Sequence, residues 1–314
     1  NNKESKRVTN LKNEPMRTPG QKFKQALRQA QPLQLLGVLN PYMALQLEKS
    51  GFEAVYLSGG GLACFNYGIP DVGVLGQEEF VHAIKSITRV SDLPLLADCD
   101  TGFGDPEKCV QAYIAAGAAG LHIEDQVEDK RCGHLDGKST VSVAEMKARI
   151  EQAVAGKTSG DVQDADFMVM ARTDALATEG FNAAVARIVS YVEAGADAIF
   201  AEAMPDLEQY DRIRQAIGPD VPLLANVTEY GKIDLFSADE LAQHGVDMVL
   251  YPVSLARSMH GALDQWVREI QQTGTTKGLV ERGQLRPRSE YNAVIDYNPT
   301  VDNRQTVLQR LKRT

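Results

Sequence analysis

The stretch "DFMVMARTDALATEGFNAAVARIVSYVEAGADAIFAEAM", residues 166–204, decides the fold. It opens on an apolar run (166–174), passes through a segment of helical period and closes on a second apolar run (198–204). Within 181–196, Ala184, Ile188, Tyr191 and Val192 fall on one face, and Gly195 supplies a stop. Two near-continuous apolar strands joined by a helix form the unit of a parallel sheet covered on both faces.

Working outward, the same unit recurs along the chain. Six further runs read as strands: 33–40, 54–60, 93–100, 120–126, 222–229 and 247–254. Eight such strands, each followed by a helix, predict a closed (β/α)₈ TIM-type barrel rather than an open doubly wound sheet. No strand runs into a Gly-x-Gly-x-x-Gly turn, which argues against a dinucleotide fold. The expected organisation is a loose arm (1–19) and one barrel domain with C-terminal helices (20–314). The segment 156–166 reads as a flexible loop. The tail 304–314 reads as a short basic amphipathic helix, either solvated or in a subunit contact.

Composition narrows the function. At 314 residues with 43% hydrophobic content the chain can bury a large core, and its net charge of −9 argues against a nucleic-acid partner. An anionic substrate would then need local positive charge against the protein's own field. The spacing of Cys64, Cys99, Cys109 and Cys132 matches neither a zinc site nor a disulfide scaffold, which predicts reduced thiols in the cytoplasm. No apolar run approaches membrane-spanning length, and the polar start lacks the apolar region of a signal peptide.

The strand ends carry the functional information, because a barrel of this kind builds its site at their carboxyl ends. They read Asn40, Ser58, Asp98 with Asp100, Glu124, Arg172, Glu202, Asn226 with Thr228, and Ser254. Strands commonly end in a polar residue singly; so many on one rim point to a site. Asp98 and Asp100, two apart, are expected to share a face and with Glu124 to form an all-oxygen cluster suited to Mg²⁺. An N-cap and a salt-bridged pair is the plainer alternative. "YLSGGG" (56–61) reads as a glycine cradle for a carboxylate, with Asp71 in the same loop able to reach the metal's water shell. Cys132 lies among Lys130, Arg131 and His134 beside Gly133, and neighbouring cations lower a thiol's pKa. The other three cysteines read as filler. Arg172 offers a planar fork for a carboxylate, or equally a structural ion pair with Asp174.

"KRCGH" downstream of "DCDTGFG" and "HIEDQ" resembles the isocitrate lyase and phosphoenolpyruvate mutase superfamily. The resemblance runs from about residue 18 to the end and is nearest the 2-methylisocitrate lyase branch, through "GAAGLHIEDQ", "MARTDALA", "LANVTEYG" and "LYPVSLAR". It implies cleavage of the tricarboxylate (2S,3R)-2-methylisocitrate to pyruvate and succinate in the methylcitrate cycle of propionate catabolism. It also implies Mg²⁺, or Mn²⁺ in its place, and a homotetramer whose paired barrels swap a C-terminal helix. Residue by residue, Asp98 and Asp100 match the metal positions, with Asp71 and Glu124 acting through water. Ser58, Gly59 and Gly60 match the substrate cradle, and Cys132 with Gly133 the thiol loop. Arg172, Glu202, Asn226, Val227, Thr228, Arg257 and Arg286 match the remaining substrate contacts.

The chemistry so implied is a retro-Claisen cleavage. Arg172 and its polar neighbours stabilise the succinate carbanion and Cys132 protonates it as general acid, with Lys130 and His134 beside the thiol. Tyr56 is the first candidate to take the hydroxyl proton, with a metal-linked carboxylate second. The loop from about 127 to 137 is expected to close as a lid. Two stretches depart from the family pattern: "ACFNYG" (63–68) is bulkier than usual, and "NPYMAL" (40–45) is unusual after strand one. The competing activity is isocitrate lyase or a related 2-oxo acid lyase.

Overall fold

The computed structural model describes residues 17–127, 139–231 and 234–312. Eight parallel strands close into one barrel in chain order. They are β1 (Leu33–Gly37), β2 (Val55–Leu57), β3 (Leu95–Asp98), β4 (Gly120–Glu124), β5 (Met168–Thr173), β6 (Ala198–Ala201), β7 (Leu223–Asn226) and β8 (Met248–Tyr251). Each lies within its predicted run. Pairing of β1 with β8, from Leu33 opposite Met248 to Leu36 opposite Tyr251, closes the circle. That closure depends on a missing side chain: a Cβ on Gly37 would stand 1.8 Å from the Pro252 carbonyl oxygen.

Strand periodicity separates two cores. One row of each strand packs outward against the helices, for example Val55, Leu57, Leu95, Ala97, Leu121 and Ile123. The alternate row fills the barrel interior, with Tyr56, Leu96, Met170, Phe200, Leu224 and Leu250 among its members. Phe23 and Ala26 from the helix Pro19–Gln29 join that interior cluster. Thr18 caps this helix with a reciprocal capping box, so the last residues of the expected arm are ordered helix-starting residues.

The segment 156–166 differs from the flexible loop expected of it. The helix Val143–Ser159 runs through its first four residues, and Gly156 and Lys157 are buried there. A Cβ on Gly156 would meet the Glu107 carbonyl at 2.6 Å, so helix-to-helix approach selects glycine at this point. Asp164, also buried, accepts from Thr18 Oγ1 (2.7 Å) and Gly20 N (2.8 Å) and ties the first helix to β5. Glycine and polar composition mark loops on average, but tertiary contacts here override it.

After β8 the chain continues as the helices Ser254–Thr273, Lys277–Glu281, Arg288–Val294 and Arg304–Leu311. The first is 20 residues long, yet Ala256 is its one buried residue, and Met259, Leu263, Val267 and Ile270 are exposed along it. The last, the expected tail helix, returns to line an apolar groove with Tyr42 and Leu45. No described helix is long and apolar enough to cross a membrane.

Candidate active site

The inward rows of the strands turn polar at their carboxyl ends. Two residues beyond Tyr56, Leu96, His122, Met170, Phe200 and Leu224 stand Ser58, Asp98, Glu124, Arg172, Glu202 and Asn226. A strand repeats its facing every second residue, so the row that packs the barrel also aims these six groups into its mouth. All six line one cavity of about 410 Å³, together with Tyr56, Gly60, Asp71, Thr228 and Arg257.

Arg172 occupies the centre of the charge pattern. Its Nε and Nη2 donate to Asp174 Oδ2 (2.9 Å) and Oδ1 (3.2 Å), Nε lies 3.3 Å from Glu124 and Nη2 3.8 Å from Glu202. Its guanidinium sits 5.0 Å above the Phe200 ring. Burial disfavours its charge, but Asp174, Glu202 and Glu124 outweigh burial and raise its pKa well above the usual arginine value. The expected pair with Asp174 is therefore present, and the same side chain faces the cavity. Behind it, buried Asp125 accepts from Asp174 N (2.9 Å), Thr173 Oγ1 (2.7 Å) and Tyr191 Oη (2.8 Å), which fixes Asp174 in turn. Burial raises the Asp125 pKa against those hydrogen bonds.

The carboxylates are arranged differently from the simple i, i+2 picture. β3 ends at Asp98, and Asp100 adopts a left-handed backbone with φ 49°. The two-residue period therefore stops before Asp100, whose N–H donates to Asp98 Oδ1 (3.0 Å) and whose carbonyl accepts from Glu124 N (2.9 Å). Asp100 lines a small adjoining cleft with Gly59 and Asp71, while Asp98 and Asp71 also face the main cavity. Among the described residues, no group of three or more His, Cys, Asp or Glu side chains is drawn together as a metal shell.

The donor set nevertheless fits a hard cation. The glycine turn packs directly on two carboxylates: a Cβ on Gly59 would lie 2.8 Å from Asp98 Oδ2, and one on Gly60 3.0 Å from Asp71 Oδ2. Gly59 N also donates to Asp98 Oδ2 (3.1 Å). Oxygen donors from one or two carboxylates at the edge of a cavity, with water and substrate completing the shell, match Mg²⁺.

His122 is the residue that strand-end reading missed. It is fully buried, its Nε2 lies 2.8 Å from Tyr56 Oη and 3.6 Å from Asp98 Oδ1, and its ring meets Phe200 edge-on. The signal was its position two before Glu124, on the same face of β4. Burial, and after it Asp98, pushes the Tyr56 phenol well above its ordinary pKa.

The remaining expected residues fall in several places. Asn226 Nδ2 approaches Glu202 (3.3 Å) and Thr228 Oγ1 donates to Asn226 Oδ1 (3.0 Å). Val227 is buried with its N–H on the Leu250 carbonyl, and Ser58 Oγ caps the glycine turn by accepting from Gly61 N. Asn40 is exposed and caps the helix Pro41–Lys49. Ser254 bonds Glu229. Arg257 reaches the cavity while donating to the Glu229 carbonyl (2.5 Å). Arg286 is exposed outside the cavity of its own chain, with Tyr42 Oη at 3.5 Å. Cys64, expected as filler, is exposed and lines the cavity, whereas Cys99 and Cys109 are buried. Lys130, Cys132, Gly133 and His134, and with them nearly all of the expected lid, lie outside the described residues.

A polar rim on a parallel barrel is common to many chemistries; comparison with known proteins narrows it. The family model for phosphoenolpyruvate phosphomutase matches residues 23–271. The chain belongs to that family. It is 45% identical to the 2-methylisocitrate lyase of Escherichia coli K12, over 90% of this chain and 94% of that one. It is 43% identical to the 2-methylisocitrate lyase of Vibrio cholerae, over 93% and 95%. Among solved structures it is similar to phosphonopyruvate hydrolase in complex with oxalate and Mg²⁺, with a TM-score of 0.77, 27% identity, and coverage of 95% of this chain and 100% of that one. As is general for (β/α)₈ barrels, the fold places its candidate chemistry at the carboxyl ends of the strands.

Proposed function

We propose that the chain is a Mg²⁺-dependent carbon–carbon lyase that cleaves (2S,3R)-2-methylisocitrate into pyruvate and succinate. The supporting similarities are to two 2-methylisocitrate lyases along nearly the whole chain. The observation that carries the reading is Arg172, held charged in the barrel mouth beside Glu124, Glu202 and the carboxylate-bearing end of β3. Such a site binds a polycarboxylate while keeping acid–base groups at hand.

Asp98 and Asp100, with Asp71 and Glu124 through water, would hold the metal. Mg²⁺, when bound, eases loss of a hydroxyl proton and neutralises a neighbouring carboxylate. Ser58 with the Gly60 N–H, and Asn226, Val227, Thr228 and Arg257, orient the substrate carboxylates, while the Gly59 N–H holds Asp98 at the cavity edge. Breaking the bond between the carbinol carbon and its neighbour leaves a carbanion beside a carboxylate, and Arg172 stabilises it. Cys132, flanked by Lys130 and His134, donates a proton to that carbon. Tyr56 keeps its own phenolic proton at rest, so it takes the hydroxyl proton as it passes its own to His122 Nε2, 2.8 Å away.

The assembly belongs to the same reading. A 20-residue helix with one buried residue and an apolar stripe supports a subunit contact along it, in a homotetramer with exchanged C-terminal helices. The enzyme works in the cytoplasm. Pyruvate release from 2-methylisocitrate, and glyoxylate release from isocitrate, with and without Mg²⁺, tests the activity. Metal-dependent cleavage favouring the methylated acid supports it; metal-dependent cleavage of isocitrate alone makes the chain an isocitrate lyase. A Cys132→Ser variant then loses at least about 10²-fold in kcat.

A further inference from the structure

The cavity has two unlike sides. On the β4–β7 side stand Glu124, Arg172, Glu202 and Asn226; on the β2 and β8 side Ser58, Asp71 and Arg257 border an apolar patch of Phe65, Pro70, Val72, Pro252 and Val253. Charged substrate groups belong to the polar groups of both sides, which leaves this patch for the apolar part of a substrate.

Phe65 is the largest group in that patch, and two elements fix it. Residues Leu62–Tyr67 form a π-helical turn directly after the glycine cradle, a conformation that is rare and concentrated at functional sites. The turn is tied down: Asn66 Nδ2 donates to the Leu39 carbonyl (3.0 Å) and Ile69 N to the Ala63 carbonyl (3.1 Å). From the other direction, the Phe65 ring stacks on His260, with centroids 4.9 Å apart and planes 12° from parallel. His260 belongs to the helix Ser254–Thr273, which leaves β8. The stack therefore clips the β2 loop to the β8 helix across the end of β1, and its ring borders the cavity.

We propose that Phe65 is a specificity-determining residue: it walls the apolar side of the cavity mouth and sets the upper size of the alkyl group that a hydroxy-tricarboxylate substrate carries. His260 is the positioning residue that holds the ring in place. The inference rests on the proposed lyase activity and adds the substrate class, acids whose branch is no longer than a short alkyl. An apolar pocket discriminates by about 10–200-fold per methylene, so one rigid ring is enough for the role.

The test compares kcat/KM of the full-length enzyme, with Mg²⁺, on 2-methylisocitrate and on its 2-ethyl homologue. Phe65→Ala should narrow the methyl-to-ethyl preference at least about tenfold, chiefly by improving the ethyl acid. His260→Ala should narrow it in the same direction by less, and His260→Phe, which retains a stacking ring, should restore it. Equal loss on both acids in Phe65→Ala overturns the role of Phe65, and an unrestored His260→Phe overturns that of His260. If Phe65→Ala does not fold, Phe65→Leu and His260→Ala carry the comparison. Wild-type enzyme that cleaves neither acid removes the lyase reading and this inference together. Wild-type enzyme that cleaves the methyl acid with a ratio indifferent to Phe65 removes this inference alone.

Discussion

Tyr56 Oη and His122 Nε2 stand 2.8 Å apart inside the barrel, 66 positions apart in the chain, at the base of a cavity bordered by charged groups. The pair joins the interior packing of β2 and β4 to the proposed acid–base chemistry above it. Two buried aromatic rings that share a hydrogen bond lose less freedom on reacting than exposed ones, and their geometry is set before substrate arrives.

Removing the hydroxyl isolates this role. Tyr56→Phe should lower kcat by about 10²–10⁴-fold with a much smaller change in KM, because the ring still packs and only the proton path is lost. Steady-state kinetics on 2-methylisocitrate provides the check. An effect confined to KM would make Tyr56 a binding residue.

In the proposed site Asp98 has two duties, and substitution tests both. Asp98→Asn removes the charge and keeps an oxygen for only one of the Gly59 and Asp100 N–H groups, which bond Oδ2 and Oδ1 separately. Mg²⁺ affinity, followed by titration calorimetry, should fall by more than the about 10–100-fold that loss of an outer-shell partner costs. Stability without metal, read by urea unfolding, should fall by about 1–3 kcal/mol, the cost of the one N–H left without an acceptor.

The Arg172–Asp174 pair is nearly solvent-free, with side-chain exposures of 11% and 0%. Asp174→Ala removes the bidentate partner while Glu124 and Glu202 remain. Breaking a buried pair on one side costs about 3–5 kcal/mol, and the remaining carboxylates place the expected loss near about 3 kcal/mol. Urea unfolding measures it. KM should rise as well, since the guanidinium is free to swing toward Glu124.

Barrel closure provides a purely structural prediction. Gly37→Ala places a carbon where the Pro252 carbonyl oxygen already stands, and neither neighbour is a side chain that can turn away. Overpacking a core costs about 1–3 kcal/mol even where side chains adjust, so this variant should lose at least the upper end of that range. A urea midpoint indistinguishable from wild type would mean that β1 and β8 are not held at this distance.

Much of this protein could be read along the chain. Strand runs, the alternation within them and their polar ends are local properties, because facing in a strand depends only on counting by two. That rule is enough to place Ser58, Asp98, Glu124, Arg172, Glu202 and Asn226 on one rim once the barrel is granted. It also marks His122, two before Glu124.

The tertiary structure decided what local rules cannot reach. Asp100 leaves the two-residue register because its backbone turns left-handed after β3, and no period foretells that. Arg172 is both ion pair and cavity wall, since Glu124 and Glu202 come from strands on either side of it. Segment 156–166 is helix and buried cap because Glu107, Thr18 and Gly20 pack on it from elsewhere in the chain. Phe65 meets His260 only because β8 closes on β1 and carries its helix back beside the β2 loop. Arg286 stands outside its own cavity because the C-terminal helices run across the surface after β8. The sequence by itself determined which side chains face inward; closure of the barrel decided which of them meet, since partners tens of residues apart are chosen by packing rather than by period.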